Sequence, residues 1–141
     1  MMNIIAEIGI NHNGSIEIAK KLIELAALAG FTHVKFQKRC PDLCVPEKQK
    51  NAPKILENGE EVTYLEYKKR IELSHIDYTL INAHCKGRIE WFASVWDIPS
   101  AEFMKQYSST VKIPSALITN IELLKHCRSN FEKVMISTGM S

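Results

Sequence analysis

The stretch Asn3–Gln37, NIIAEIGINHNGSIEIAKKLIELAALAGFTHVKFQ, contains two short apolar runs separated by one helical pattern. The run Asn3–Ile10 predicts a buried strand that ends in a turn rich in glycine and asparagine. Apolar residues then recur at helical spacing over Ser15–Ala29, and Gly30 is a typical residue for closing a helix. Thr32–Gln37 predicts a second strand. The order strand, helix, strand is typical of a parallel βαβ unit.

The same alternation continues along the rest of the chain. Further strands are predicted at Glu90–Val95, Thr110–Ile113 and Lys133–Ser137, and further helices at Thr63–Ile71, Asp77–Lys86, Pro99–Gln106 and Ile118–Ser129. The polar stretch Lys38–Val62 contains three prolines and is predicted to be a long functional or mobile loop. Two α/β architectures fit five parallel strands. One is a complete flavodoxin-like open sheet, and the other is part of a (β/α)₈ barrel, which needs about 250 residues.

Composition excludes several classes of protein. The chain has 141 residues, of which 45% are hydrophobic and 24% charged, with a net charge of +2. That charge is too small to predict binding to nucleic acid or to a membrane surface. The sequence contains neither an apolar run long enough to span a membrane nor a signal-peptide pattern, which predicts a cytoplasmic location. The four cysteines lack the spacing of a zinc site and are predicted to be free thiols.

Polar side chains occur at the carboxyl end of every predicted strand, where parallel α/β proteins place their functional sites. They are Glu7, Asn11, His12, Lys35, Gln37, Ser94, Trp96, Asp97, Lys112, Ser115, Ser137 and Thr138. Two lysines inside apolar strands, with several hydroxyls nearby, favour a site for phosphate and carboxylate groups. Taken singly, the lysines could be surface residues, the serines helix caps, and Glu7 a partner for one lysine. Taken together, they favour one functional site.

Five segments resemble the motifs of one family, the sialic acid synthases, which include N-acetylneuraminate synthases and their legionaminate and pseudaminate relatives. Ile5–Gly14, IAEIGINHNG, is similar to the opening signature of that family. The other four segments follow in the family's order and are Val34–Lys38, Phe92–Asp97, Lys112–Ser115 and Ile136–Met140.

This resemblance implies a TIM-type barrel, here incomplete with about its first five strands. It also implies an enzyme that condenses phosphoenolpyruvate with N-acetylmannosamine, or a related 2-acetamido sugar, to give a nine-carbon sialic acid and phosphate. Glu7 is then the catalytic residue that contacts the acceptor sugar, and Lys35, Lys112 and Ser115 hold phosphoenolpyruvate. The remaining positions that the resemblance assigns to the same pocket are Gln37, Ser94, Trp96 and Ser137.

The resemblance further implies a divalent metal, Mn²⁺ or Mg²⁺, whose histidine ligands lie beyond residue 141. Residues 1–141 would then be the N-terminal portion of the barrel, without the later strands, the antifreeze-like domain or a stably bound metal. We expect such a chain to be inactive alone, and its full-length parent to be a homodimer. The acceptor could be N-acetylmannosamine, its 6-phosphate or a diacetamido sugar. The alternatives are a non-catalytic module that binds phosphate or phosphoenolpyruvate, and a complete flavodoxin-like domain.

Overall fold

The computed structural model describes residues 2–139. In chain order, the strands of this part are β1 (Ile5–Gly9), β2 (His33–Lys38), β3 (Pro53–Ile55), β4 (Glu61–Thr63), β5 (Glu90–Val95), β6 (Thr110–Ile113) and β7 (Lys133–Ile136). The helices are α1 (Ile16–Leu28), α2 (Pro41–Cys44), α3 (Glu47–Lys50), α4 (Tyr64–Arg70), α5 (His75–Cys85), α6 (Ile98–Met104) and α7 (Ile121–Asn130). No helix within residues 2–139 has the length and apolar character needed to cross a bilayer.

Five of the strands form one parallel sheet in the order β1-β2-β5-β6-β7. The predicted parallel α/β fold is therefore confirmed. Each strand lies beside the one that precedes it along the chain, apart from the separate hairpin formed by β3 and β4. A flavodoxin-like sheet instead has the order 2-1-3-4-5, because the chain reverses its direction of progress after the first crossover. The flavodoxin-like alternative is therefore wrong.

The helices α1, α5, α6 and α7 cover one face of this sheet and form the main hydrophobic core with it. Val34 and Phe36 of β2 and Trp91 of β5 point into this core, where Tyr78 of α5 stacks on the Trp91 ring at 6.1 Å. Since successive residues of a strand point to opposite faces, the residues between these lie on the other face. Lys35 and Phe92 belong to that second set.

Among residues 2–139, no helix of the main layer covers the second face, yet two of its side chains are sheltered from solvent. Phe92 is only 1% exposed although it lies outside the helix-side core, and Lys35 is 4% exposed. The edge of the His33 ring packs against Phe92 at 6.2 Å. Polar groups on this face are therefore held in a partly dry environment, where charges interact more strongly than in water.

The segment Lys38–Val62, an insertion that was predicted to be a functional or mobile loop, contains regular secondary structure, and its functional role stays a prediction. It contains α2, α3 and the β3–β4 hairpin. Pro41 occupies the first turn of α2, where its fixed φ favours a helix. The hairpin turns at Asn58-Gly59, with Gly59 at φ +82° and the Asn58 side chain accepting a hydrogen bond from the Glu60 N–H at 3.1 Å. The Asn-Gly pair was the local signal for this turn.

Helix starts differ from the predictions where a side chain caps the helix. Helix α5 begins at His75 rather than at Asp77, because Ser74 and Asp77 form a reciprocal capping box. Helix α7 begins after Asn120, which caps it, because the preceding residues Ser115–Leu117 first form a separate 3₁₀ turn. The remaining predicted strands and helices of the main sheet and its cover agree with the structure to within about two residues.

The turn between β1 and α1 contains a buried neutral histidine. His12 is 2% exposed, and its Nδ1 accepts a hydrogen bond from the Gly14 N–H at 3.0 Å. Burial lowers the pKa of His12, and the charge of Arg39 lowers it further, against opposing contributions from the Gly9 backbone and Asp77. His12 is therefore a structural turn residue.

A pH-dependent stability follows from this histidine. Because its pKa is lower in the folded state, the unfolded chain takes up the proton first, and the stabilisation present above about pH 6.5 is lost as the pH falls. We expect His12→Asn to flatten the fall in stability between about pH 7 and 5, since an amide oxygen can accept from Gly14 but does not titrate. Urea unfolding at several pH values measures this slope, and an unchanged slope would contradict the assignment.

Candidate active site

Three side chains from three adjacent strands meet on the sheltered face of the sheet. Glu7 of β1 is paired in register with Lys35 of β2. Ser94 of β5 is paired with Gln37, two residues after Lys35 on the same face of the sheet. Lys35 Nζ is 2.7 Å from Glu7 Oε2 and donates a hydrogen bond to Ser94 Oγ at 2.7 Å. The prediction that polar groups at the strand ends converge is correct for these three residues.

Lys35 is a buried cation with one carboxylate partner. Burial lowers its pKa, the neighbouring Glu7 carboxylate opposes that change, and Lys112 adds to the lowering. The Glu7 side chain is 56% exposed, whereas that of Lys35 is 5% exposed. The carboxylate partner of Lys35 is thus largely solvated, and a second lysine lies near enough to act on the Lys35 charge, so the site favours an anion.

Ser94 is a hydrogen-bond partner of Lys35 and not a helix cap, which excludes the capping alternative for this residue. Helix α6 is capped instead by Asp97, whose Oδ1 accepts from the Ser100 N–H at 2.7 Å. Because the Ser94 oxygen accepts a bond from Lys35, its own proton is left to donate. A buried hydroxyl with a spare proton is suited to an oxygen-rich ligand.

A narrow gap over Gly9 separates Glu7 from Gln37. Gly9 adopts φ +52°, at a shift in the β1–β2 register. A Cβ at this position would lie 3.0 Å from Glu7 Oε1 and 3.5 Å from Gln37 Nε2. The gap therefore has an acceptor on one side and a donor on the other. A sugar hydroxyl, which both donates and accepts, matches this pair.

The predicted residues of the fourth and fifth sheet strands lie along the same end of the sheet. Lys112 is half-buried and pairs in register with Ser94. Ser115 begins the 3₁₀ turn after β6, and its Oγ is 3.8 Å from where a Cβ on Gly139 would stand. The Ser137 N–H donates to the Ile113 carbonyl at 3.1 Å. Met140, the last residue of the fifth motif, lies outside the described residues.

Trp96 lies beside this cluster and not within it. Its ring centroid is 6.0 Å from Arg39 Cζ, and its indole nitrogen is buried without a hydrogen-bond partner among residues 2–139. Both side chains line a neighbouring cleft of about 620 Å³, together with the apolar Pro99 and Leu117. The structure therefore places Trp96 in this neighbouring cleft, next to Arg39.

Sequence reasoning missed the ion-pair cluster Lys38–Arg39–Glu72, which lies behind Gln37. Arg39 Nε is 3.0 Å from Glu72 Oε2, the Arg39 N–H donates to Glu72 Oε1 at 3.1 Å, and Lys38 Nζ is 3.6 Å from the same oxygen. The two consecutive basic residues after the predicted strand Thr32–Gln37 were only a weak indication of this ion-pair cluster. Glu72 lies between two helices, and nothing in its neighbourhood of the sequence pointed to this contact.

The described residues offer no ligand set for a metal. Within residues 2–139, no group of three or more His, Cys, Asp or Glu side chains is placed to hold an ion. Cys44 Sγ lies 3.0 Å from Asp97 Oδ2, and burial together with that carboxylate raises the pKa of the Cys44 thiol. A raised pKa disfavours the thiolate that binds metals.

Comparison with protein families matches the NeuB family over residues 22–141. The chain is 36% identical to the N,N'-diacetyllegionaminic acid synthase of Campylobacter jejuni, over 98% of this chain and 42% of that protein. It is 37% identical to the N-acetylneuraminate-9-phosphate synthase of Drosophila melanogaster, over 97% of this chain and 37% of that protein. The chain thus spans about two fifths of the length of these relatives.

A solved structure has the same fold. It is the crystal structure of an N-acetylneuraminic acid (sialic acid) synthetase from Leptospira borgpetersenii serovar Hardjo-bovis, in complex with citrate. It superposes with a TM-score of 0.82 at 26% identity, over 98% of this chain and 45% of the other. The parallel sheet described above is therefore the arrangement of strands found in that synthetase.

Proposed function

The chain belongs to the NeuB family, and on that premise we propose that its strand-end site binds phosphoenolpyruvate for condensation with a 2-acetamido sugar. The observation that carries this proposal is Lys35, a buried cation fixed between Glu7 and Ser94. Glu7, its carboxylate partner, is 56% exposed and therefore offsets the buried charge of Lys35 only in part, so a bound anion would complete the pairing. Phosphoenolpyruvate, which carries both a phosphate and a carboxylate, supplies that anion.

The side chains proposed to bind the phosphate and carboxylate of phosphoenolpyruvate lie on neighbouring strands. Lys35 and Ser94 lie at the β2–β5 end, and Lys112 lies one strand further along. The hydroxyls of Ser115 and Ser137 follow at the ends of β6 and β7. Fixed cations and hydroxyl donors at these positions stabilise the charge of the phosphate and carboxylate oxygens without reorganising during reaction.

The acceptor sugar places a hydroxyl group in the gap over Gly9. Its hydroxyl groups donate to Glu7 Oε1 and accept from Gln37 Nε2, the two atoms that border the gap. Glu7 can thereby orient the open-chain sugar and assist proton transfer at its aldehyde oxygen. Phosphoenolpyruvate at Lys35 and the aldehyde at Glu7 are then held next to each other, as bond formation requires.

The proposed reaction forms one carbon–carbon bond and breaks one carbon–oxygen bond. The enol carbon C3 of phosphoenolpyruvate attacks the aldehyde carbon, and the aldehyde oxygen takes up a proton to become a hydroxyl. Water adds to the oxocarbenium centre left at C2 and loses a proton. The resulting tetrahedral intermediate expels inorganic phosphate and leaves the keto group of a nonulosonic acid.

Further features belong to the proposal for the complete enzyme. Sequential parallel strands support a barrel of the TIM type, of which residues 1–141 form the N-terminal portion. A divalent cation would polarise the aldehyde. Residues 2–139 contain no ligand set that fits such a site, the position of the ligands beyond residue 141 stays a prediction from the sequence, and no step above depends on the metal. A cytoplasmic homodimer remains a prediction from the sequence.

The acceptor class is tested directly by activity. The protein expressed from the longest reading frame that includes residues 1–141 is incubated with phosphoenolpyruvate, Mn²⁺ and each of three acceptors in turn. These are N-acetylmannosamine, its 6-phosphate and a 2,4-diacetamido hexose. With one of the acceptors, we expect the amount of phosphate released to equal the amount of nine-carbon acid formed, as measured by mass spectrometry. We expect no turnover by the 141-residue chain alone.

The comparison of binding with turnover separates the proposed enzyme from a non-catalytic anion-binding module. Titration calorimetry with phosphoenolpyruvate should give a saturable signal. If the protein from the longest reading frame also binds phosphoenolpyruvate but turns over none of the three acceptors, the anion-binding module is the better assignment. Absence of both binding and turnover contradicts the proposed function outright.

A further inference from the structure

The side-chain amide of Gln37 has two ends with opposite hydrogen-bonding character, and its orientation decides what the site offers a sugar. Gln37 Oε1 accepts a hydrogen bond from Arg39 Nη1 at 3.4 Å. Gln37 Nε2 faces the gap over Gly9, opposite Glu7 Oε1. With the amide reversed, the gap would be bordered by two acceptors, Glu7 Oε1 and Gln37 Oε1, and would have no donor.

The identity of Arg39 excludes the reversed orientation. A guanidinium group carries only donors, so the Gln37 atom that faces it has to be the acceptor oxygen. Arg39 is itself fixed, because it is 6% exposed and is held by Glu72 through both its backbone N–H and its Nε. Glu72 is also buried, with 11% of its side chain exposed. The order Glu72, Arg39, Gln37 is thus a chain of contacts in which each member constrains the next.

We propose that Arg39 is a positioning residue that locks the Gln37 amide with Nε2 toward Gly9, so that the site presents one donor to an oxygen of the acceptor sugar. Arg39 does not touch the sugar in this arrangement. Its contribution rests on the proposed function, because it matters for catalysis only if an acceptor binds over Gly9. Its effect on the orientation of Gln37 does not depend on that function.

Lys38 provides a matched control for Arg39. Both cations contact Glu72, so replacing either removes one ionic partner from the same buried carboxylate. Lys38 Nζ lies over the rings of Tyr78 and Phe103, at 5.4 and 5.5 Å from their centroids. It is on the opposite side of the strand from Gln37. Any effect of Arg39→Ala that Lys38→Met does not share therefore comes from the contacts of Arg39 with Gln37 and Trp96, and the orientation of the Gln37 amide separates these two.

The orientation is tested by nuclear Overhauser effects in the 141-residue chain. We expect a cross-peak between the Gln37 side-chain NH₂ and the Gly9 Hα in the wild type and in Lys38→Met. In Arg39→Ala the amide is free to rotate, and the cross-peak should be lost. Arg39→Lys, which can still donate to Oε1, should restore it in part. A cross-peak that persists unchanged in Arg39→Ala overturns the proposal.

The consequence for the reaction is tested by kinetics on the protein from the longest reading frame. Arg39→Ala should raise KM for the acceptor sugar by about tenfold, as expected for one lost hydrogen bond of average to high strength. KM for phosphoenolpyruvate and kcat should stay within about twofold of the wild type, because uniform binding of one substrate is removed. Equal losses in Arg39→Ala and Lys38→Met would show a general structural effect and also overturn the proposal. A wild type without activity refutes the proposed function, while the cross-peaks still decide the role of Arg39.

Discussion

Replacement of Lys35 by methionine is expected to abolish detectable binding of phosphoenolpyruvate and to lower the condensation rate by about 100- to 1000-fold, as for loss of a preorganised charge-stabilising group. Lys35 is the one cation that contacts both Glu7 and Ser94. Without it, the Glu7 carboxylate faces an anionic substrate with no neutralising charge between them. The loss should therefore exceed that of a single hydrogen bond.

The same substitution should not destabilise the fold. Methionine has nearly the length of lysine, and replacing a buried charge by an apolar side chain is often neutral or stabilising. The largely exposed Glu7 remains solvated after its partner is removed. We expect urea unfolding of Lys35→Met to show equal or higher stability than the wild type, which would separate the loss of binding from misfolding.

Lys105→Met is a suitable control for charge alone. Lys105 has a 38% exposed side chain and pairs with Glu102 on the opposite, helix-covered side of the sheet. Removing this exposed lysine should change affinity for phosphoenolpyruvate by less than about twofold, because a remote surface charge is screened. Unaltered binding in Lys35→Met, measured by titration calorimetry, would contradict the site assignment.

Replacement of Gly14 by alanine is expected to destabilise the chain by about 3 kcal/mol, from a left-handed backbone and a steric clash acting together. Gly14 adopts φ +77°, and a Cβ there would lie 2.3 Å from the Arg70 carbonyl oxygen. That oxygen is backbone and cannot move away as a flexible side chain could. The β1–α1 turn and the end of α4 would have to separate, and this also disturbs the hydrogen bond between Gly14 and His12.

Gly30→Ala isolates the contribution of the clash. Gly30 has a similar φ of +82°, but a Cβ there would meet nothing within 4 Å. It should therefore show only the conformational penalty, about 1–2 kcal/mol. The difference between the two variants, measured by urea unfolding with equal m-values, gives the steric contribution. Equal losses of unfolding free energy in both variants would show that the β1–α1 turn relieves the clash at no measurable cost.

Much of the fold was predictable because its signals are local. The strands Glu90–Val95 and Thr110–Ile113 were predicted with the same bounds as observed, since each is an apolar run between turn residues. The convergence of Glu7, Lys35 and Ser94 followed from the rule that the ends of parallel strands meet at one edge. The positions of these residues along their strands were therefore enough to predict that they lie close together.

The remaining features depend on contacts that local patterns do not encode. Arg39 and Glu72 are 33 residues apart, and their pairing depends on how the insertion folds back over the end of β2. The insertion itself contains helices of only four residues, too short for a periodic pattern to emerge. The position of Trp96 in the cleft next to Arg39 could not be predicted either, because the strand pattern does not fix the direction of the chain after the strand has ended.

The sequential order of the strands also governs how the chain can fold during synthesis. Ile5 pairs with His33 and Thr110 with Lys133, so most neighbouring strands come together soon after each emerges from the ribosome. His33, however, pairs with Glu90, across roughly twice that length of chain, and closing a loop twice as long adds about 0.6 kcal/mol of entropic cost. We therefore expect β2–β5 pairing to be the slow step of assembly. The hairpin and short helices of the insertion, by compacting this loop beforehand, would shorten the search.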